Sequence, residues 1–238
     1  MNGAESHAGR ERWRLRAERI NDAFGLVLIL VLVTYVLASL LSNRGWDAVI
    51  LSAAASATSV VALVSSHAHP RVVRAALALS LLAVALAAIA AASGEQTWLN
   101  IGSMIEICLL TGAMLAVLRR VVTSAEIGFR TILGAISFYT VLGILFTFLY
   151  ATVDRIQGGG FFEGGHMASG SDFIFFSYTT LTTTGYGDLV PGGQPGRMLA
   201  GLEMMIGQIF LVTLVAGLVS LWRPGDAIRR RRAERTEG

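Results

Sequence analysis

The run Thr180-Leu181-Thr182-Thr183-Thr184-Gly185-Tyr186-Gly187-Asp188 is where this sequence could do chemistry. Glycines on either side of Tyr186 let successive residues take φ of alternating sign, which turns consecutive carbonyls to the same side. One such row holds a cation poorly, but four rows around an axis would make rings of oxygens able to replace its hydration shell. Two acids, Glu106 and Glu203, stand in otherwise apolar runs, and an acid at membrane depth is functional by default. Other candidates are sparse. His67, His69 and His166 have no further ligands beside them, and a single cysteine, Cys108, excludes an intrachain disulfide or a thiolate cluster. No cofactor is implied.

The elements that must position these residues are membrane spans. Of 238 residues, 54% are hydrophobic and only 15% charged, with a mean hydropathy of +0.62. That is too apolar for an ordinary soluble domain. The 19 basic residues are all arginine and leave a net charge of +3 against 16 acids, which does not make a nucleic-acid binder. A helix rising about 1.5 Å per residue needs about 20 apolar residues to cross the hydrocarbon layer. Six stretches qualify: 24–41, 48–66, 72–92, 98–118, 132–153 and 198–222. Pro70, Pro191, Pro195 and Pro224 all fall outside them. Most arginines alternate onto one side of this arrangement, while Arg44, Arg155 and Arg197 fall on the other. Both termini are therefore expected in the cytoplasm, in a multi-pass protein of the cell (inner) membrane. The first span does not read as a cleaved signal, because about twenty charged and polar residues precede it.

Between the fifth and sixth spans a Gly-rich loop, 157–170, leads into residues 171–182. At roughly 18 Å as a helix this piece is too short to cross. Ser171 and Asp172 are good helix starters, so it reads as a helix that enters the membrane and stops halfway. The Thr-Gly-Tyr-Gly stretch must then return as non-helical backbone. At membrane depth such backbone survives only buried in protein or lining an aqueous path.

The nine residues from Thr180 to Asp188, placed between two spans and after a half-membrane helix, resemble the signature sequence of the potassium channel family. The resemblance covers roughly 126–222 and implies an all-α membrane fold: six helices with a re-entrant pore helix and filter between the last two. It implies that Thr183, Thr184, Gly185 and Tyr186 line a row of dehydrated K+ sites, with Gly187 and Asp188 at the outer mouth. The chain carries one such segment and a ring needs four, so a homotetramer is expected. Gly207, ten residues after Arg197, matches the spacing of the inner-helix hinge glycine, and close helix packing would explain it as well.

The departures from the family pattern are specific. Where many members carry aromatic ring donors before the filter, this chain has Phe175 and Phe176, which cannot hydrogen-bond Tyr186 or Asp188. Where some place a carboxylic acid in the pore helix, it has Thr179. Glu203 is expected to supply the missing support by facing the back of the pore helix and bonding Tyr178, Thr179 or Gln208. The four helices in front lack the repeated arginines of a voltage sensor; the fourth carries Glu106 and no arginine before Arg119 and Arg120.

Four regions follow: a basic amino-terminal segment, 1–21; a four-helix bundle, 22–118; a pore region, 119–222; and a basic tail, 223–238. Residues 119–130, with Glu126, read as the connector between bundle and pore. Arg229, Arg230, Arg231 and Arg232 could attract anionic lipid, and topology signalling explains them too. The tail is too short for a regulatory domain. The expectation is a passive potassium channel with no enzymatic activity and an undetermined gating stimulus. Its competitors are a less selective cation channel and a polytopic enzyme or sensor with an incidental turn. The latter would need convergent catalytic groups, and Glu106 and Glu203 are far apart.

Overall fold

The computed structural model describes residues 24–41, 45–123, 129–165 and 167–221. Among the described residues seven α-helices follow one another: α1 (Phe24–Leu40), α2 (Trp46–Ser65), α3 (Pro70–Ser93), α4 (Gln96–Val122), α5 (Phe129–Ile156), α6 (Gly170–Leu181) and α7 (Gln194–Leu221). Five of them, α2 to α5 and α7, are long and apolar enough to cross a membrane. The expected first span, 24–41, coincides with the apolar helix Phe24–Leu40, which is shorter than the other five. The amino-terminal segment, the connector at 124–128, His166 and the tail arginines lie outside the described residues.

Local chemistry sets the helix ends. His69 caps α3 by accepting from Arg71 N–H through Nδ1, Pro70 takes the first turn, and Gly94 closes the helix in a left-handed conformation. Ser169 starts α6 with a capping box: its side chain accepts from Asp172 N–H while the Asp172 carboxylate accepts from Ser169 N–H. The pore-helix start is therefore Ser169, and Asp172 is the box's acid rather than the first cap.

Helices α2, α3 and α4 pack on one another, and α4 also lies along α5. Small residues permit the close approach: Ala55, Ala83 and Ala113 are fully buried, and a Cβ on Gly102 would sit 3.3 Å from the Ala83 carbonyl. Helix α6 wedges between α5 and α7. Its other flank meets the front bundle, where Ile174 packs with Ala38 and Leu51 and the ring of Tyr178 meets Tyr35 edge-on at 5.2 Å.

Candidate functional site

The stretch after α6 is held by its amides. Thr182 N–H donates to Tyr178 O, Thr183 N–H to Thr180 O, and Thr184 and Gly185 N–H both to Thr179 O, at 2.8 to 3.1 Å. Carbonyls left over at the end of α6 are thereby satisfied by the very residues that follow it. Positive φ falls on alternate residues, Thr183 (56°), Gly185 (48°) and Gly187 (84°). Two of the three are glycines, for which this costs little. Thr183 is β-branched, and a strained backbone of this kind persists only where its surroundings hold it. With the N–H groups turned back onto α6, no described hydrogen bond uses the carbonyls of Thr183, Thr184, Gly185 or Tyr186, and residues 182–188 are all exposed in the single chain.

The supports behind this strand differ from the expected ones. Glu203 is fully buried and faces the back of α6, but its partners are Ser177, whose hydroxyl lies 2.6 Å from Oε1, and Tyr150 of α5, which donates to Oε2 at 2.5 Å. Tyr178 instead donates to Thr140 O at 2.7 Å, and Thr179 to Phe176 O at 3.1 Å. Gln208 is exposed. The reason is helical phase: Ser177 lies on the buried face of α6 opposite Glu203, whereas Tyr178 turns toward α1 and α5. Tyr139, a residue the sequence did not single out, donates to Leu181 O at 2.9 Å and fastens the end of α6 to α5.

Phe175 stacks on Tyr186 with ring centroids 5.8 Å apart and planes 12° from parallel. Stacking takes the place of the hydrogen bond that phenylalanine cannot make. Phe176 points the other way, into an aromatic cluster with Tyr150, Phe161 and Phe162. The outer loop is tied to the same cluster. Glu163 N–H donates to Val190 O, Gly192 N–H to Phe161 O, and Arg197 bonds Pro191 O and the Glu163 carboxylate. Asp188, the last residue of this stretch, is exposed. Gly207 is buried, and a Cβ there would lie 2.6 Å from Leu181 Cδ1 and 2.8 Å from its carbonyl. Helix α7 runs through Gly207 without a break.

Residues 155–223 match a family model described as "Ion channel". They form an ion channel domain. Over 88 residues the chain is 32% identical to "Two-pore potassium channel 1" of Arabidopsis thaliana, a match that covers 37% of this chain and 22% of that protein. The matched part is thus a small fraction of that relative's length. No solved structure matches the chain. The matched residues take in α6, the Thr-Gly-Tyr-Gly stretch and all the described length of α7, in a multi-pass membrane protein with a channel's pore region.

Sequence reasoning missed Arg155. It was counted only as an arginine on the side opposite most others, and it forms part of the last turn of α5, half-buried. Its guanidinium donates to Asn100 and Ser103 of α4 and to Thr152 of its own helix. Arginine two residues past a predicted span end is an available signal: the span simply continues to include it.

Proposed function

We propose that four copies of this chain surround one pore that passes K+ passively and selectively. The carrying observation is the row of carbonyls from Thr183 to Tyr186, held in alternating geometry by N–H hydrogen bonds to α6 and without donors of its own among the described residues. Such oxygens at membrane depth need a partner that is not lipid. A dehydrated cation, shared with the equivalent rows of three further copies, satisfies them. The K+ sites would be formed by Thr183, Thr184, Gly185 and Tyr186, with Gly187 and Asp188 at the mouth. The similarity to a protein named as a potassium channel supports this choice of ion. Both termini would lie in the cytoplasm, with the filter's mouth outward. The front four helices carry no series of arginines, so gating would not be voltage sensing of the arginine-helix kind.

A flux assay on the purified chain in liposomes tests the reading. K+ uptake should greatly exceed Na+ uptake, and Thr183→Ala, which deletes one ring's hydroxyls and relaxes a strained position, should abolish that preference. Equal uptake of the two ions would favour a weakly selective pore. That alternative has its own basis in the stacking of Phe175 on Tyr186, which holds the outer strand without a directional bond. Absence of flux for either ion, with the protein folded, would count against the channel reading.

A further inference from the structure

A second ionisable site lies outside the ion path, between the front bundle and the pore helix. Glu106, on α4, is 1% exposed. Its Oε1 accepts from Ser52 at 2.8 Å and from Ser56 at 2.7 Å, both on α2. Its Oε2 is buried and has no hydrogen-bond partner among the described residues. An unpaired buried carboxylate oxygen is expensive, and a structure that keeps one provides something to meet it. Glu106 lines a cavity of about 40 Å³ whose far wall is α6, through Gly170, Phe173 and Ile174. Arg155 lines the same cavity and also a wider crevice of about 310 Å³ beside the 157–169 loop, and Phe173 and Gly170 line both. Arg155, Gly170 and Phe173 thus form part of a wall shared by the cavity and the crevice.

We infer that Glu106 is a proton-binding site, supplied through this crevice and placed to act on the pore helix. The cavity lining decides between a proton and a metal cation. A bare metal ion asks for about six oxygens, whereas most of this lining is aliphatic or aromatic; a proton needs one oxygen, and Oε2 is free to take it. Of the charged groups, Arg155 from α5 is the one that faces this cavity with Glu106. Helices α1, α2, α3 and α6 contribute no titratable side chain to its lining, and Asp154 stands in the outer crevice beside Arg155. Arg155 is pinned by Asn100, Ser103 and Thr152, so a proton on Glu106 changes the charge facing a fixed guanidinium and a wall of α6. That this changes conduction rests on the channel reading above.

The experiment is infrared difference spectroscopy of the full chain in liposomes, titrated across about pH 5 to 9, with K+ flux measured over the same series. A protonated-carboxyl band should grow on acidification, with one component that is lost in Glu106→Gln, shifted in Glu106→Asp and retained in Glu203→Gln. Potassium flux should follow the same midpoint in the wild type and lose its pH response in Glu106→Gln. A titrating band left unchanged by Glu106→Gln, or no band that titrates, overturns the proton site. A titrating Glu106 beside pH-independent flux overturns its action on the pore. If the wild type passes no K+ at any pH, the channel reading fails, while the infrared series still decides the site.

Discussion

Glu106 and Glu203 show how two identical side chains in apolar surroundings come to different ends. Glu203 meets a hydroxyl at each oxygen, Ser177 and Tyr150, while Glu106 meets two at one oxygen and none at the other. The first is a completed brace between α5, α6 and α7. Tyr150→Phe removes one donor from a buried acid and should cost about 1.5 to 3 kcal/mol, read as a lower thermal midpoint in detergent. Ser177→Ala should cost a similar amount. The sum for the double variant should be smaller than the two separately, since both act through one carboxylate. Unchanged midpoints for both single variants would show that the brace contributes nothing to stability. The acids themselves were legible, because a charge in an apolar run stands out. Their partners were not: Tyr150 is 53 positions from Glu203 and Ser52 is 54 from Glu106, and nothing local in the chain marks which hydroxyls meet them.

Among the helices, what was legible follows from length and apolar patterning. Five spans and the half-length pore helix could be placed to within a few residues because hydrophobic runs of this length have one reading. The cap of α6 was misplaced by two residues, since Ser169, Ser171 and Asp172 are all good starters and only the backbone shows that Asp172 sits at the third helical position. Gly207 was legible as a small residue but not as one kind of small residue. The geometry gives it a steric role, because Leu181 occupies the space a side chain would take and the end of α6 sits against α7 there. Gly207→Ala must push back a backbone carbonyl as well as a flexible methyl. Such overpacking costs about 1 to 3 kcal/mol, so a lower thermal midpoint and a weakened K+ preference are expected together, through displacement of the strand that follows Leu181. Gly201→Ala, on the same helix with nothing within 4 Å, should leave both unchanged. Were Gly207 chiefly a hinge, Gly207→Ala would instead reduce flux while leaving the midpoint and the ion preference alone.

The chain taken alone leaves its most polar backbone uncovered beside its least buried helix. Only 17% of the apolar window of α7 is buried, against 56% for α5, and the neighbouring strand at 182–188 is exposed throughout. Apolar side chains such as Ile209 and Val212 could rest against lipid, but unpaired carbonyls could not. In the proposed tetramer the face carrying both would meet the further copies, whereas the exposed face of α3 has no such polar neighbour and suits lipid. Two bulky substitutions separate these surfaces. Ile209, 62% exposed on α7, and Leu81, 73% exposed on α3, present similar open surface in one chain. Ile209→Trp adds volume where the proposed tetramer places another copy and should break the assembly, while Leu81→Trp meets fluid chains and should be tolerated. Chemical crosslinking in liposomes, followed by mass analysis, should give a species of four times the 25.3 kDa chain mass for the wild type and for Leu81→Trp, and mainly smaller species for Ile209→Trp. A wild type that stops at two copies, or an Ile209→Trp variant that crosslinks fully to four, would remove α7 from the subunit interface and with it the geometry that closes the ring of carbonyls.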